Sequence, residues 1–214
     1  MNTESIGFVL PHWFYWGWLA IVPLILIIAA KQQGIMPEPP RTEGAGFVER
    51  LLDWISDRTG VFVALWSVSA VLAYTYEVVA RYLFNMPTIW VHESSFLLFG
   101  MQYMMAGAYG LLHGSHVRVD VIYTKLNKRR QAAVDVFTSV FFFVFVIAMV
   151  GTSWRFFFDS MAMDERSVET WQIQYWPVKG LMLLGAFLIL LAGVSRLIKD
   201  IRAYEGTLKQ EISA

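Results

Sequence analysis

The chain has 214 residues, of which 57% are hydrophobic and only 16% charged, against about a quarter charged in an ordinary soluble domain. Seventeen basic residues cancel seventeen acidic ones, so no global basic field draws in nucleic acid and no acidic excess marks a disordered tail. The absence of cysteine removes disulfides, thiolate metal sites, iron-sulfur clusters and cysteine nucleophiles together.

A membrane-crossing helix needs about 20 mostly apolar residues, because unpaired peptide groups are costly in hydrocarbon. Stretches free of Asp, Glu, Lys and Arg fall at 5–30, 59–76, 94–117, 136–154 and 180–195. They predict an all-α integral membrane protein with a four-helix transmembrane body plus one extra N-terminal transmembrane helix. That first unit, residues 1–31 with its helix at about 12–30, has no basic residue ahead of it and reads as a retained span rather than a signal peptide. Trp13, Phe14, Tyr15, Trp16 and Trp18 crowd its entry, the rings expected at headgroup depth. Pro37, Pro39 and Pro40 forbid a continuous helix, so residues 32–46 read as a cytoplasmic linker that sets the first helix apart as an appendage.

The body is expected over 47–202. Phe47, Val48, Leu51, Leu52 and Ile55 recur at helical spacing, opposite Glu49, Arg50, Asp53, Asp57 and Arg58. This pattern predicts an interfacial helix over 47–58, apolar face into the membrane and charged face away from it. Transmembrane helices follow at about 59–80, 92–113, 133–155 and 177–198, a second surface helix is expected over 121–136, and 203–214 reads as a tail. Glu77 with Arg81 and Arg155 with Asp159 read as surface pairs near helix ends. No span core carries a charge, which argues against a self-contained ion-coupled carrier.

On the third span Gly100, Gly107 and Gly114 repeat every seven residues and Gly110 follows Ala106 by four, offering close backbone approach, while the central Gln102 amide needs a partner across a helix interface. His113, His116 and Asp120 have a helix-compatible metal spacing. However, His12, His92, His113 and His116 all fall near span ends rather than facing one another at matched depth, so no haem or metal is expected on the chain. No nucleophile elbow, zinc-protease helix, phosphate loop or dinucleotide fingerprint occurs, so no enzyme chemistry has a carrier. Between the last two spans, Asp164, Glu165 and Glu169 against Arg166 make a modestly acidic loop, either solvated or docking a partner. Thirteen Lys and Arg fall on the side holding residues 31–58, 113–132 and 196–214, against four (Arg81, Arg155, Arg166 and Lys179) on the other. The N-terminus is therefore expected outside and the C-terminus inside.

Arg81-Tyr82-Leu83-Phe84-Asn85, then Pro87-Thr88, Trp90 and Glu93, then Gly114 and His116-Val117-Arg118-Val119-Asp120, and later Trp176-Pro177-Val178-Lys179, stand in order at helix ends. In these motifs the body resembles the small membrane subunit (Q, or DctQ-type) of tripartite ATP-independent periplasmic (TRAP) transporters. The resemblance implies a non-catalytic scaffold in the bacterial inner membrane, partnered by a large multispanning carrier subunit, a periplasmic substrate-binding protein and membrane lipids. It implies uptake of an organic acid, with the coupling ion, sodium in most members, on the large subunit. It puts Asn85, Trp90 and Glu93 on the outer rim and His116, Arg118 and Asp120 at the cytoplasmic turn, in structural or inter-subunit roles. The extra N-terminal span departs from the usual four. The alternative is a membrane-anchor subunit of a redox enzyme binding haem or quinone, and a weaker third reading is a small standalone carrier.

Overall fold

The computed structural model describes residues 8–36, 46–115, 123 and 125–212, the side chains of 128–129 and 207–212 excepted. The helices with described bounds are, in chain order, α1 (His12–Gln32), α2 (Phe47–Ala64), α3 (Trp66–Leu83), α4 (Val91–Leu112), α5 (Lys128–Ala162) and α6 (Trp176–Ile212). Leu65 alone separates α2 from α3 and keeps a right-handed helical backbone (φ −71°, ψ −12°). Counting α2 and α3 as one, five helices are long and apolar enough to cross a membrane. No strand occurs among the described residues, only an isolated bridge between Arg166 and Gln174.

Three helices end alike. Ile35, Ser115 and Glu165 each donate their N–H five residues back, to Ala30, Gly110 and Ser160. The residue before each has positive φ, namely Gly34 (67°), Gly114 (67°) and Asp164 (44°). Such a reversal satisfies the last carbonyls and turns the chain sharply. Gly114 is therefore a helix stop, where only glycine takes this backbone without strain, and not part of a packing stripe.

The core lies where α4 meets α2 and α6, with Val63, Met101, Ala108 and Leu188 buried. α5 packs on α6 and leaves most of its surface outward. A Cβ at Gly185 would lie 2.7 Å from the Met104 carbonyl oxygen, and one at Gly107 2.6 Å from Ile189. The α4–α6 contact is thus backbone against backbone at Gly185, while Gly107 faces a flexible side chain. Gly185→Ala is expected to destabilise the protein by about 1–3 kcal/mol, as overpacking does where backbone must move, whereas Gly100→Ala, with nothing within 4 Å, should leave unfolding unchanged. Thermal unfolding of the two variants in detergent checks the contrast.

Several expectations are corrected here. The helix from Phe47 does not stop at residue 58 but runs on to Ala64. Its apolar residues divide, with Phe47, Val48, Leu51 and Trp54 outward and Leu52 buried, while Glu49, Asp53 and Asp57 turn into the protein rather than toward water. Of the stretch 121–136, Tyr123 is helical, residues 125–127 form a turn, and the rest from Lys128 belongs to α5, which continues unbroken. The tail from residue 203 is helical through Ile212. The first helix is no appendage, because Tyr15, Leu19 and Pro23 are buried, Tyr15 and Leu19 in the common core. Of the glycines, Gly100 is open, Gly107 packs on α6 and Gly114 caps α4, so the seven-residue repeat is not one interface.

Candidate functional site: polar clusters at the two ends of the bundle

At one end, α2 presents Glu49, Asp53 and Asp57 four residues apart, hence on one face. α6 runs antiparallel beside it and offers Ser195, Lys199 and Arg202. Arg202 grips Glu49 through both terminal nitrogens, at 2.5 and 3.0 Å. Asp53 accepts from Ser195 Oγ and Lys199 Nζ, each at 2.7 Å. Asp57 faces His113 Nε2 at 3.2 Å, at the end of α4. All three acids of this ladder are buried; Glu49 and Asp53 are matched by basic groups of α6, while Asp57 meets His113 through Oδ1 and its Oδ2 has no hydrogen-bond partner among the described residues. A buried charge is tolerated only when paired and hydrogen-bonded. That requirement explains the inward turn of the polar face. Sequence reasoning missed this ladder, although the signal was present in acids at four-residue spacing and a complementary Ser-Lys-Arg row.

At the other end, indole N–H groups gather the N-terminal segment. Trp90 Nε1 donates to the Phe8 carbonyl at 2.7 Å and Trp171 Nε1 to that of Leu10 at 2.8 Å. Deeper in, Trp66 Nε1 donates to the Leu19 carbonyl at 2.8 Å. His12 Nε2 lies 2.9 Å from the Trp171 carbonyl oxygen, and Tyr15 donates to that of Ser94 at 2.8 Å. The rings of Tyr15 and Trp171 meet edge-on and those of Tyr76 and Trp90 stack. His12 and His113 therefore stand at opposite ends of the bundle, His92 is exposed, and no facing histidine pair forms among them.

The motif between α3 and α4 is built around Glu77, which was expected at the surface and is buried. One carboxylate oxygen takes Arg81; the other takes both the backbone N–H of Thr88, at 2.9 Å, and its hydroxyl. Glu77 thereby ties the Asn85–Pro87 turn to α3, with Asn85 at φ +52°. Asn85 is exposed, Pro87 half-buried. Trp90 and Glu93 are buried, and both Glu93 oxygens lack a hydrogen-bond partner among the described residues. In the first turn of α4, Glu93 gains from the helix dipole. Gln102 Nε2 donates to Ser67 Oγ of α3 at 3.0 Å. Arg155 and Asp159 are exposed, and no ion pair joins them among the described residues. His116, Arg118 and Asp120 lie outside the described residues.

The acidic loop between α5 and α6 is folded on itself. Arg166 holds Asp164 at 2.8 Å, Lys179 pairs with Glu165, and Tyr175 N–H donates to the Glu165 carbonyl at 2.9 Å. Lys179 thus closes the loop onto α6 just past Trp176 and Pro177, which begin that helix. Among the described residues, Glu169 alone of the three acids has no partner for its carboxylate. The Arg166 guanidinium holds Asp164 below its ordinary value, and the Lys179 hydrogen bond does the same for Glu165. A depressed carboxyl adds stability above its unfolded value, near 4.5 for Glu165, and loses it as the pH falls through the folded value. Protease sensitivity of the 163–175 loop is therefore expected to rise below pH 4.5, and Lys179→Met should flatten that acid dependence.

Residues 70–203 match the family model described as tripartite ATP-independent periplasmic transporters, DctQ component. No curated protein matches the chain. The matched region takes in the Glu77 hub, α4, α5 and the α6 side of the charged ladder, and leaves out α1 and the acidic face of α2.

Proposed function

We propose, from the premise that the chain belongs to the DctQ component family of tripartite ATP-independent periplasmic transporters, that it is the non-catalytic scaffold subunit of such a secondary transporter. It supports a large elevator-type carrier subunit in ion-gradient-driven uptake of an organic acid delivered by a periplasmic binding protein. The family match carries this reading. Physical support comes from the buried acids Glu49 and Asp53, which are spent on clamps to α6 at one end of the bundle, and from span cores that carry no charge among the described residues. The coupling ion, sodium in this reading, binds the large subunit and not this chain.

The excess of Lys and Arg puts the Glu49–Lys199 end in the cytoplasm and the Trp90–Trp171 end in the periplasm. A static subunit beside a moving carrier needs helices that resist being dragged, and clamps between distant segments supply that resistance. The α1 helix, fastened through three indoles, widens the same rigid body.

Mild-detergent purification of the tagged chain from native membranes tests the reading, with partners identified by mass and an absorbance spectrum recorded on the same sample. A colourless complex with a large multispanning protein is expected. A coloured complex, or the chain alone, would overturn it. For the binding protein, Glu169 is the acid of the outer loop free to meet a basic partner, so Glu169→Lys should weaken docking at low salt and matter little at high salt. Binding measured at two ionic strengths checks this. Glu165→Lys is the wrong probe, because it repels Lys179.

A further inference from the structure

An amide at the middle of a membrane must find its hydrogen-bond partners in protein, because acyl chains offer none. Gln102 stands midway along α4 and is half-exposed. Its one side-chain bond goes to Ser67, and its carbonyl oxygen has no partner among the described residues. Beside it on α4, Phe96 and Tyr103 are each 76% exposed, and Gly100 between them has nothing within 4 Å of where a Cβ would stand. Residues 96, 100 and 103 share a helix face. Two rings therefore rise around a missing side chain, the shape of a hole that receives a knob from another helix. Behind this face, α2 and α6 hold α4 firmly.

The outward face of α5 is different. Phe137, Phe141, Val144, Phe145 and Ile147 are exposed there, and Thr138 and Thr152 return their hydroxyls to their own helix, at 2.9 Å from the carbonyls of Val134 and Ala148. That surface asks nothing of its surroundings that lipid does not provide.

We propose that the exposed face of α4, with the notch at Gly100 and the Gln102 amide on its α3 flank, docks a transmembrane helix of the large carrier subunit. The inference rests on the functional reading above, in which such a subunit exists. The incoming helix seats a side chain in the notch and brings a hydrogen-bonding group to Gln102.

The chain has no cysteine, so single cysteines report one position each. Gly100→Cys, Tyr103→Cys, Phe141→Cys and Phe145→Cys would be labelled with a maleimide benzophenone in membranes carrying the whole transporter, irradiated, and their adducts identified by mass. Adducts with the large subunit are expected from positions 100 and 103, and lipid adducts from 141 and 145. Large-subunit adducts from α5 alone, or lipid adducts at all four positions while the large subunit still co-purifies, would overturn the proposal and leave the scaffold reading standing. Absence of the large subunit from the unmodified preparation would overturn both. Gln102→Leu should lower the yield of co-purified large subunit several-fold without changing the chain's own protease resistance; an unchanged yield speaks against docking here.

Discussion

Asp53→Ala is expected to cost about 3 kcal/mol of stability, the lower end of what removing one partner of a buried ion pair costs. The carboxylate is 5% exposed and holds Ser195 Oγ and Lys199 Nζ at 2.7 Å each. Its loss leaves a hydroxyl that is itself buried without an acceptor, and an ammonium whose side chain is 27% exposed facing a cavity. The partial exposure of Lys199 lets it swing toward solvent, which keeps the cost from rising further. Glu49→Ala should cost less, because Arg202, 46% exposed, reaches solvent more easily. Replacing both partners, Asp53→Leu with Lys199→Met, should recover much of the loss, since matched apolar groups often substitute for a buried pair without penalty. Reversible unfolding in detergent measures all three variants. Equal costs for Asp53→Ala and Glu49→Ala would mean that burial does not govern the ladder.

That ladder also shows where sequence reading reached its limit. Five apolar helices were legible because hydrocarbon permits so few alternatives. The amphipathic pattern of α2 was legible too, but its sense was not. A polar stripe is read as facing water unless its partners are known, and the partners of Glu49 and Asp53 lie more than 140 residues away on α6. Spacing misled at the glycines for a related reason. A repeat of seven aligns residues on one side of a helix, but it does not distinguish the open notch at Gly100 from the contact at Gly107 or the left-handed stop at Gly114. Glu77 was read as the partner of Arg81 alone, because its other oxygen serves Thr88, across a turn that no periodicity describes.

The position of the first helix is the sharpest of these differences, and Trp171→Ala is the experiment that exposes it. Trp171 is 4% exposed and touches the N-terminal segment in three ways. Its indole N–H donates to the Leu10 carbonyl, its own carbonyl oxygen lies 2.9 Å from His12 Nε2, and its ring meets those of His12 and Tyr15 at 5.3 Å. Truncating a buried tryptophan costs about 3–5 kcal/mol. Here much of that loss should appear locally, as faster amide exchange over residues 8–19, while the α5–α6 contact stays protected. Trp171→Phe keeps a ring and gives up the bond to Leu10, worth about 1 kcal/mol, so its exchange should rise far less. An appendage joined only by the chain would show no change at residues 8–19 in either variant. A graded response instead makes the loop between α5 and α6 the latch that turns an added helix into part of the scaffold.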